Sequence, residues 1–240
     1  MKHIGILALQ GAFIEHEKML SRLGVFACQV RLPEDLRGLD GLIIPGGEST
    51  TIGKLARHYQ LVQPLKDFAA SGRPLWGICA GLIFMARDIG GLEQPLLGLM
   101  DIAVRRNAFG RQVDSFETDI EVPALCSMGG IGEGCRSFHA VFIRGPVIES
   151  VGEKVTVLAR LNDGRIVAAR QDNLLVTAFH PELTGDERFH RYFLDMGGTL
   201  TSAPVEVVAR EGCDAQHSPV CEERLRRSPS CTRHQIRDRS

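Results

Sequence analysis

The sequence has no pair of cysteines at metal-binding spacing. Its seven cysteines, at positions 28, 79, 126, 135, 213, 221 and 231, form no Cys-x-x-Cys pair. That spacing argues against a zinc cluster or a disulfide framework and for a reducing compartment. Charge of one sign is also lacking: the formal net charge is −1, so no global field favours nucleic acid or an acidic membrane surface. No apolar run approaches the ~18 residues of a membrane span, and no signal-type apolar region precedes the first expected strand. No internal repeat is present. Together these absences make a cytoplasmic protein with no nucleic-acid and no membrane partner the expectation.

What is present suits one domain of moderate size. Over 240 residues, 44% are hydrophobic and 24% charged, enough for a sizeable core. Ile4 to Leu9 is a continuous apolar run of the kind buried parallel strands have. Phe13, His16, Leu20 and Leu23 then recur at helical spacing, and Gly24 ends that helix. Val25 to Val30 and Leu42 to Ile44 read as further strands, and Leu61 to Ala70 as a helix. This alternation predicts a βαβ sheet with right-handed crossovers. In the middle the pattern changes. Leu99 to Val104, Val113 to Val122 and Phe138 to Ile143 read as strands without intervening helices, so an antiparallel extension of the sheet is expected. Cys126 to Ser137 is glycine-rich and reads as a mobile surface loop. Asn162-Asp163-Gly164 between two apolar runs is a hairpin signal. Asn173 to Phe179 is a last strand, and Asp186 to Met196 a closing helix. From Gly197 the periodic apolar content ends, and 197–240 reads as a disordered or divergent tail.

Three stretches carry chemistry. Pro74 to Phe84 reads as a buried strand, a Gly77-Ile78-Cys79-Ala80-Gly81 turn and a helix. A nucleophile on such an elbow stands clear of the sheet, and the helix start behind it favours a thiolate over the ordinary thiol pKa of about 8.5. The plainer reading is a buried cysteine opening a helix. Pro45-Gly46-Gly47-Glu48-Ser49-Thr50-Thr51 follows a central strand, where open α/β sheets place ligands. It lacks the Gly-Lys-Ser/Thr ending of a phosphate-binding Walker loop. Its glycines let the backbone approach a ligand, and Ser49 to Thr51 are expected to cap the next helix. A plain turn before a capped helix is the alternative. Third, the last strand runs into His180-Pro181-Glu182. Proline biases His180 toward extended backbone, where residues two apart face the same side.

A cysteine elbow with a later histidine and carboxylate has the makings of a Cys79-His180-Glu182 triad. Cys79 would be the nucleophile, His180 the proton carrier and Glu182 the residue that sets its tautomer. The N–H groups of Gly47 and Ala80 are the oxyanion-hole candidates. His16, His58, His139 and His190 fit better as surface or core residues.

Gly77 to Gly81 with His180-Pro181-Glu182 resembles the triad of class I glutamine amidotransferases. The likeness narrows to the glutaminase subunits of pyridoxal 5′-phosphate synthase. It rests on Leu9-Gln10-Gly11, on Pro45 to Thr51 and on the stretch from Arg105 to Glu117. Val141-Phe142-Ile143-Arg144 and Phe179 to Thr184 add to it. The match spans about residues 1–196. One departure is Gly145, where the family usually has alanine.

The resemblance implies an α/β, flavodoxin-like three-layer sandwich with a mixed, largely parallel sheet. It implies hydrolysis of L-glutamine to glutamate and ammonia, with no cofactor and no metal. The implied partner is a TIM-barrel (PdxS-type) pyridoxal 5′-phosphate synthase subunit in a large hetero-oligomer. It also implies that glutamine is held by Gly47, Glu48, Ser49, Arg106, Ile143 and Arg144, and that Gln10 sets the Gly46-Gly47 loop. Three rivals stay open here: another amidotransferase subunit, a stand-alone cysteine hydrolase, and a non-catalytic binding subunit.

Overall fold

The structure is a computed structural model that describes residues 2–106, 115–128 and 135–197. In chain order it contains β1 (His3–Leu7), α1 (Phe13–Arg22), β2 (Phe26–Val30), β3 (Gly41–Ile44), α2 (Ser49–His58), α3 (Val62–Ala70), β4 (Leu75–Ile78) and α4 (Ala80–Met85). Then follow β5 (Ala86–Asp88), β6 (Met100–Arg105), β7 (Ser115–Ile120), β8 (Phe138–Ile143), β9 (Val147–Val151), β10 (Thr156–Arg160), β11 (Ile166–Gln171), β12 (Leu174–Thr177) and α5 (Arg188–Met196).

The parallel part of the main sheet runs β2-β1-β3-β4-β12, the flavodoxin-like order. The chain steps one way from β1 to β2 and the other way from β3 to β4. Right-handed crossovers in opposite directions put their helices on opposite faces. An antiparallel extension, β11, β9 and β6 with β10 on β11, continues the sheet past β12, and β5 pairs parallel to β6 at its edge. The α/β class, the mixed sheet and the extension are as the sequence predicts.

Two details differ. The segments read as strands at Val113 to Val122 and Phe138 to Ile143 do not join the extension. As β7 and β8 they form a separate antiparallel ribbon. In both strands more buried residues alternate with more exposed ones, so one side of the ribbon carries the apolar row to bury, and it packs as a flap. Phe116 stacks on Phe142 at 4.5 Å and Phe142 meets Phe179 at 5.6 Å. The short β5 and β9 have no separate signal in the sequence. α4 is only six residues long and passes straight into β5.

The expectation of no disulfide is corrected. Cys126, in a short 3-10 turn, is bonded to Cys135. A lone pair nine residues apart has no spacing signature, because bonding depends on how the turn brings the two Cα atoms together. The loop expected between them falls largely at 129–134, outside the described residues. So do 107–114 of the Arg105 to Glu117 stretch, and the tail expected beyond Gly197.

The core centres on Trp76 of β4, which is fully enclosed. Phe189 and Phe193 of α5 lie 6.2 and 5.6 Å from its ring. Side chains of this size contribute about 1.5–3 kcal/mol each when fully buried. Register then positions the site. Ile44 of β3 lies beside Gly77 of β4, and Thr177 of β12 beside Ile78. The carboxyl ends of β3, β4 and β12 therefore finish side by side. The loops leaving them carry Gly46-Gly47, Cys79 and His180.

Candidate active site

Cys79 follows β4 without an intervening residue. Its backbone has φ 49° and ψ −97°, a conformation that costs a non-glycine residue on the order of 1–3 kcal/mol. Neighbouring hydrogen bonds hold it there. The Cys79 N–H donates to the Thr177 carbonyl at 2.8 Å, and its own carbonyl accepts from Ile83 at 3.2 Å to start α4. The elbow needs Gly81, because a Cβ at that position would overlap the Ile44 carbonyl. The thiol is thus aimed into a cavity, with Sγ 3.9 Å from the Ile143 carbonyl oxygen.

His180 reaches the same cavity from the end of β12. Its N–H donates to the Val141 carbonyl at 2.8 Å, which ties it to β8. The sequence predicts that His180 and Glu182 share a side because the chain is extended. The structure does it differently: His180 has φ −108° and ψ 87°, short of fully extended, and Pro181–Leu183 is a 3-10 turn, closed by Leu183 N–H donating to the His180 carbonyl. That turn brings Glu182 back under the imidazole, and His180 Nδ1 donates to Glu182 Oε1 at 2.7 Å. Burial works against a charged His180, but contact with Cys79 and with Glu182 outweighs it, and the pKa is pushed up to about 10. Glu182 is held below its ordinary value; burial opposes this, and His16 and His180 outweigh it. Both contacts favour the protonated imidazole, which stands between a sulfur and a carboxylate.

The cavity has a volume of about 640 Å³. Its wall includes Gln10, Gly47, Glu48, Ser49, Cys79, Ala80, Arg106, Ile143, Arg144 and His180. Every residue expected at the site is brought together there except Glu182, which stands behind His180. The Gln10 side-chain oxygen accepts the N–H of Glu48, the residue that follows Gly46-Gly47, at 2.7 Å. Arg144 has a positive φ of 46° on the exposed rim.

One expected local role is corrected. Glu48, and not Ser49 to Thr51, caps α2: its carboxylate accepts from Thr50 N at 3.0 Å and from Thr51 N and Oγ1 at 2.7 Å. A carboxylate can take several donors at once, including the helix-start N–H groups, which a single hydroxyl cannot. Burial opposes ionisation of Glu48, but these bonds hold its pKa at about 2. Its Oε1 also faces Arg106 Nη2 at 3.4 Å.

The sequence reading passes over three more residues. Gln94 Oε1 accepts from Arg106 Nη1 at 2.9 Å and from Ser49 Oγ and Thr50 Oγ1 at 3.2 Å. It ties the arginine to the start of α2. Nothing in its local sequence, Leu92-Glu93-Gln94-Pro95, marks it. His16 and His190 are fully buried, as core histidines are expected to be, but they lie in line behind Glu182. The helical spacing of His16 shows only that it faces inward.

No group of three or more His, Cys, Asp or Glu side chains is arranged to hold a metal among the described residues, and none of their helices is long and apolar enough to cross a membrane.

A thiol, an imidazole and a carboxylate in line at the end of a parallel sheet recur in several hydrolase families, so the fold and sequence relationships narrow the choice. The model of the SNO glutamine amidotransferase family matches residues 6–198. Pyridoxal 5′-phosphate synthase subunit PdxT of Herpetosiphon aurantiacus is 62% identical over 196 residues, 80% of this chain and 99% of that protein. The subunit of the same name from Roseiflexus castenholzii is 57% identical over 195 residues, again 80% and 99%. A crystal structure of a glutamine amidotransferase superposes with a TM-score of 0.73 at 53% identity, over 81% of this chain and 98% of that one. With its elbow, its triad geometry and this degree of identity, the chain belongs to the SNO glutamine amidotransferase family.

Proposed function

We propose that the chain hydrolyses L-glutamine to L-glutamate and ammonia, as the glutaminase subunit of a pyridoxal 5′-phosphate synthase. The observation that carries this reading is the Cys79-His180-Glu182 line opening on a cavity whose wall also holds Arg106. Glutamine brings an α-carboxylate, which a guanidinium fork suits, and a side-chain amide long enough to reach the thiol. Gln94 and Glu48 fix the Arg106 head.

In this mechanism the Cys79 sulfur attacks the amide carbon, and the oxyanion formed is met by the N–H groups of Gly47 and Ala80. A donor of that kind is worth on the order of 10²–10³ in rate. His180 gives its proton to the nitrogen, the C–N bond breaks and ammonia leaves. A water molecule, deprotonated by His180, then attacks the thioester, the C–S bond breaks, and glutamate leaves with the Cys79 sulfur again facing a protonated His180. Glu182 keeps the imidazole in one tautomer throughout.

The ammonia goes to a TIM-barrel synthase subunit held in a hetero-oligomer. The name shared by relatives that this chain matches almost end to end supports this assignment. Partner binding raises the glutaminase rate by holding the Gly46-Gly47 loop, fastened by Gln10, in the state that aims its N–H. The test is Cys79→Ala in the complex. It abolishes cofactor synthesis from glutamine but preserves synthesis from an ammonium salt. Equal loss of both activities refutes the reading.

A further inference from the structure

The polar line does not end at Glu182. Its Oε1 is taken by His180, while its Oε2 lies 3.6 Å from His16 Nε2 on α1. Both of these atoms are buried without a hydrogen-bond partner. On the other side of the same ring, His16 Nδ1 is 3.0 Å from His190 Nε2 on α5. The two imidazoles stand edge-on to Trp76, at 5.9 and 5.0 Å, with no exposure to solvent. The charged or titratable groups that act on His16 are Glu182 and His180 from the turn after β12, Glu15 on its own helix and His190.

The direction of every proton in this line follows from one constraint. An ionised carboxylate can only accept, so the nitrogen facing Glu182 Oε2 has to carry the hydrogen. Burial favours the neutral form of both His16 and His190. Neutral His16 with its proton on Nε2 has a bare Nδ1. His190 must then donate from Nε2, which leaves its own Nδ1 bare, and that atom is indeed without a partner.

We propose that His16 is a positioning residue of the triad: its Nε2–H is the second donor to Glu182, closing the 3.6 Å gap during the reaction, and His190 sets its tautomer. A buried carboxylate with a single donor competes with the imidazole for the proton between them. A second donor keeps that proton on His180 Nδ1, so that His180 stays oriented toward Cys79. His16 does not line the substrate cavity, so its effect falls on kcat and leaves KM unchanged.

The inference rests on the glutaminase reading, and two measurements separate them. The first compares His16→Gln with His16→Asn in the complex with the synthase. The Gln amide nitrogen sits near the place of Nε2, and the Asn nitrogen near that of Nδ1. Gln should keep kcat and the alkaline limb of the pH profile close to wild type. Asn should lower kcat by about ten- to a hundred-fold, the worth of a hydrogen bond to a charged group, at unchanged KM, and move the alkaline limb upward. If Gln and Asn behave alike, whether both active or both impaired, the proposal is overturned. The second is ¹⁵N NMR of the histidine rings in the full chain. It should find His16 and His190 neutral with the proton on Nε2, and a proton on His16 Nδ1 overturns the proposal without reference to activity. A wild-type complex that releases no glutamate but shows these tautomers refutes the function and leaves the proton line standing.

Discussion

Gly46→Ala adds one methyl group at the point where the glycine loop touches the His180 imidazole. A Cβ there would lie 3.0 Å from His180 Nδ1 and nearer still to Cε1. Carbon contacts settle at ~3.5–4.0 Å, so one of the two groups has to yield by about 1 Å. The loop resists, because the Gly46 carbonyl accepts the Ala12 N–H at 3.1 Å and a neighbouring bond fixes Glu48 to Gln10. The φ of Gly46 is not positive, so alanine adds no backbone strain of its own. The imidazole therefore moves, and its 2.7 Å bond to Glu182 stretches past hydrogen-bonding range. A displacement of that size in a catalytic group costs about 10²-fold. Glutamate release by the complex should fall by about that factor in kcat, with little change in KM, because Arg106 and its partners are untouched. Near-wild-type circular dichroism and continued alkylation of Cys79 by a small thiol reagent would show that the elbow survives. A kcat within about two-fold of wild type would refute the placement of His180 against this loop.

Other outcomes follow from the same geometry. Arg106→Ala should raise KM for glutamine by about ten- to a hundred-fold, the worth of a charge-assisted contact, with a smaller effect on kcat, as steady-state glutamate release will show. Gln94→Leu removes the acceptor shared by Arg106, Ser49 and Thr50 and should raise KM in the same assay by a smaller factor. Stability should peak near pH 6.5. His180, raised to about 10, contributes fully below the unfolded value of 6.5 and loses that contribution as pH rises through about 10. His16 and His190, both lowered, contribute above 6.5 and lose that contribution as pH falls toward their folded values, at up to about 1.4 kcal/mol per pH unit for each ring. Urea midpoints at about pH 7.5 and about pH 5.5 should therefore differ less in His190→Phe than in the wild type.

The parallel half of the fold was legible because its strands are continuous apolar runs punctuated by glycine, and burial on both faces imposes that pattern. The Asn162-Asp163-Gly164 hairpin was legible for a similar reason. Gly164 takes φ 87° and Asp163 Oδ1 accepts the Arg165 N–H, so the turn chemistry is local. The partnering of β7 with β8 was not legible. Alternation identifies a half-buried strand but not which sheet it joins, and that choice depends on long-range contacts such as Phe142 against Phe179. The bond from Cys126 to Cys135 was hidden for the same reason.

The site divides along the same line. Cys79, His180 and the Gly46-Gly47 loop were legible because each sits at a strand end, where backbone constraints leave marks in the residue types. Glycine is needed at 46 and 81 to avoid His180 and the Ile44 carbonyl. The residues that tune those groups left no such mark. Gln94 acts through one oxygen on a segment with no regular structure, and its role exists only because α2 and Arg106 converge on it. His16 is separated from Glu182 by 166 positions in sequence and by 3.6 Å in space. A histidine on the inner face of a helix reads as core, and here the core reading is correct as far as it goes. What burial adds is chemical. With water excluded, a neutral imidazole beside a carboxylate has few proton arrangements open to it. The packing of α1 and α5 against Trp76 thereby sets which atoms of His16 and His190 face each other and Glu182.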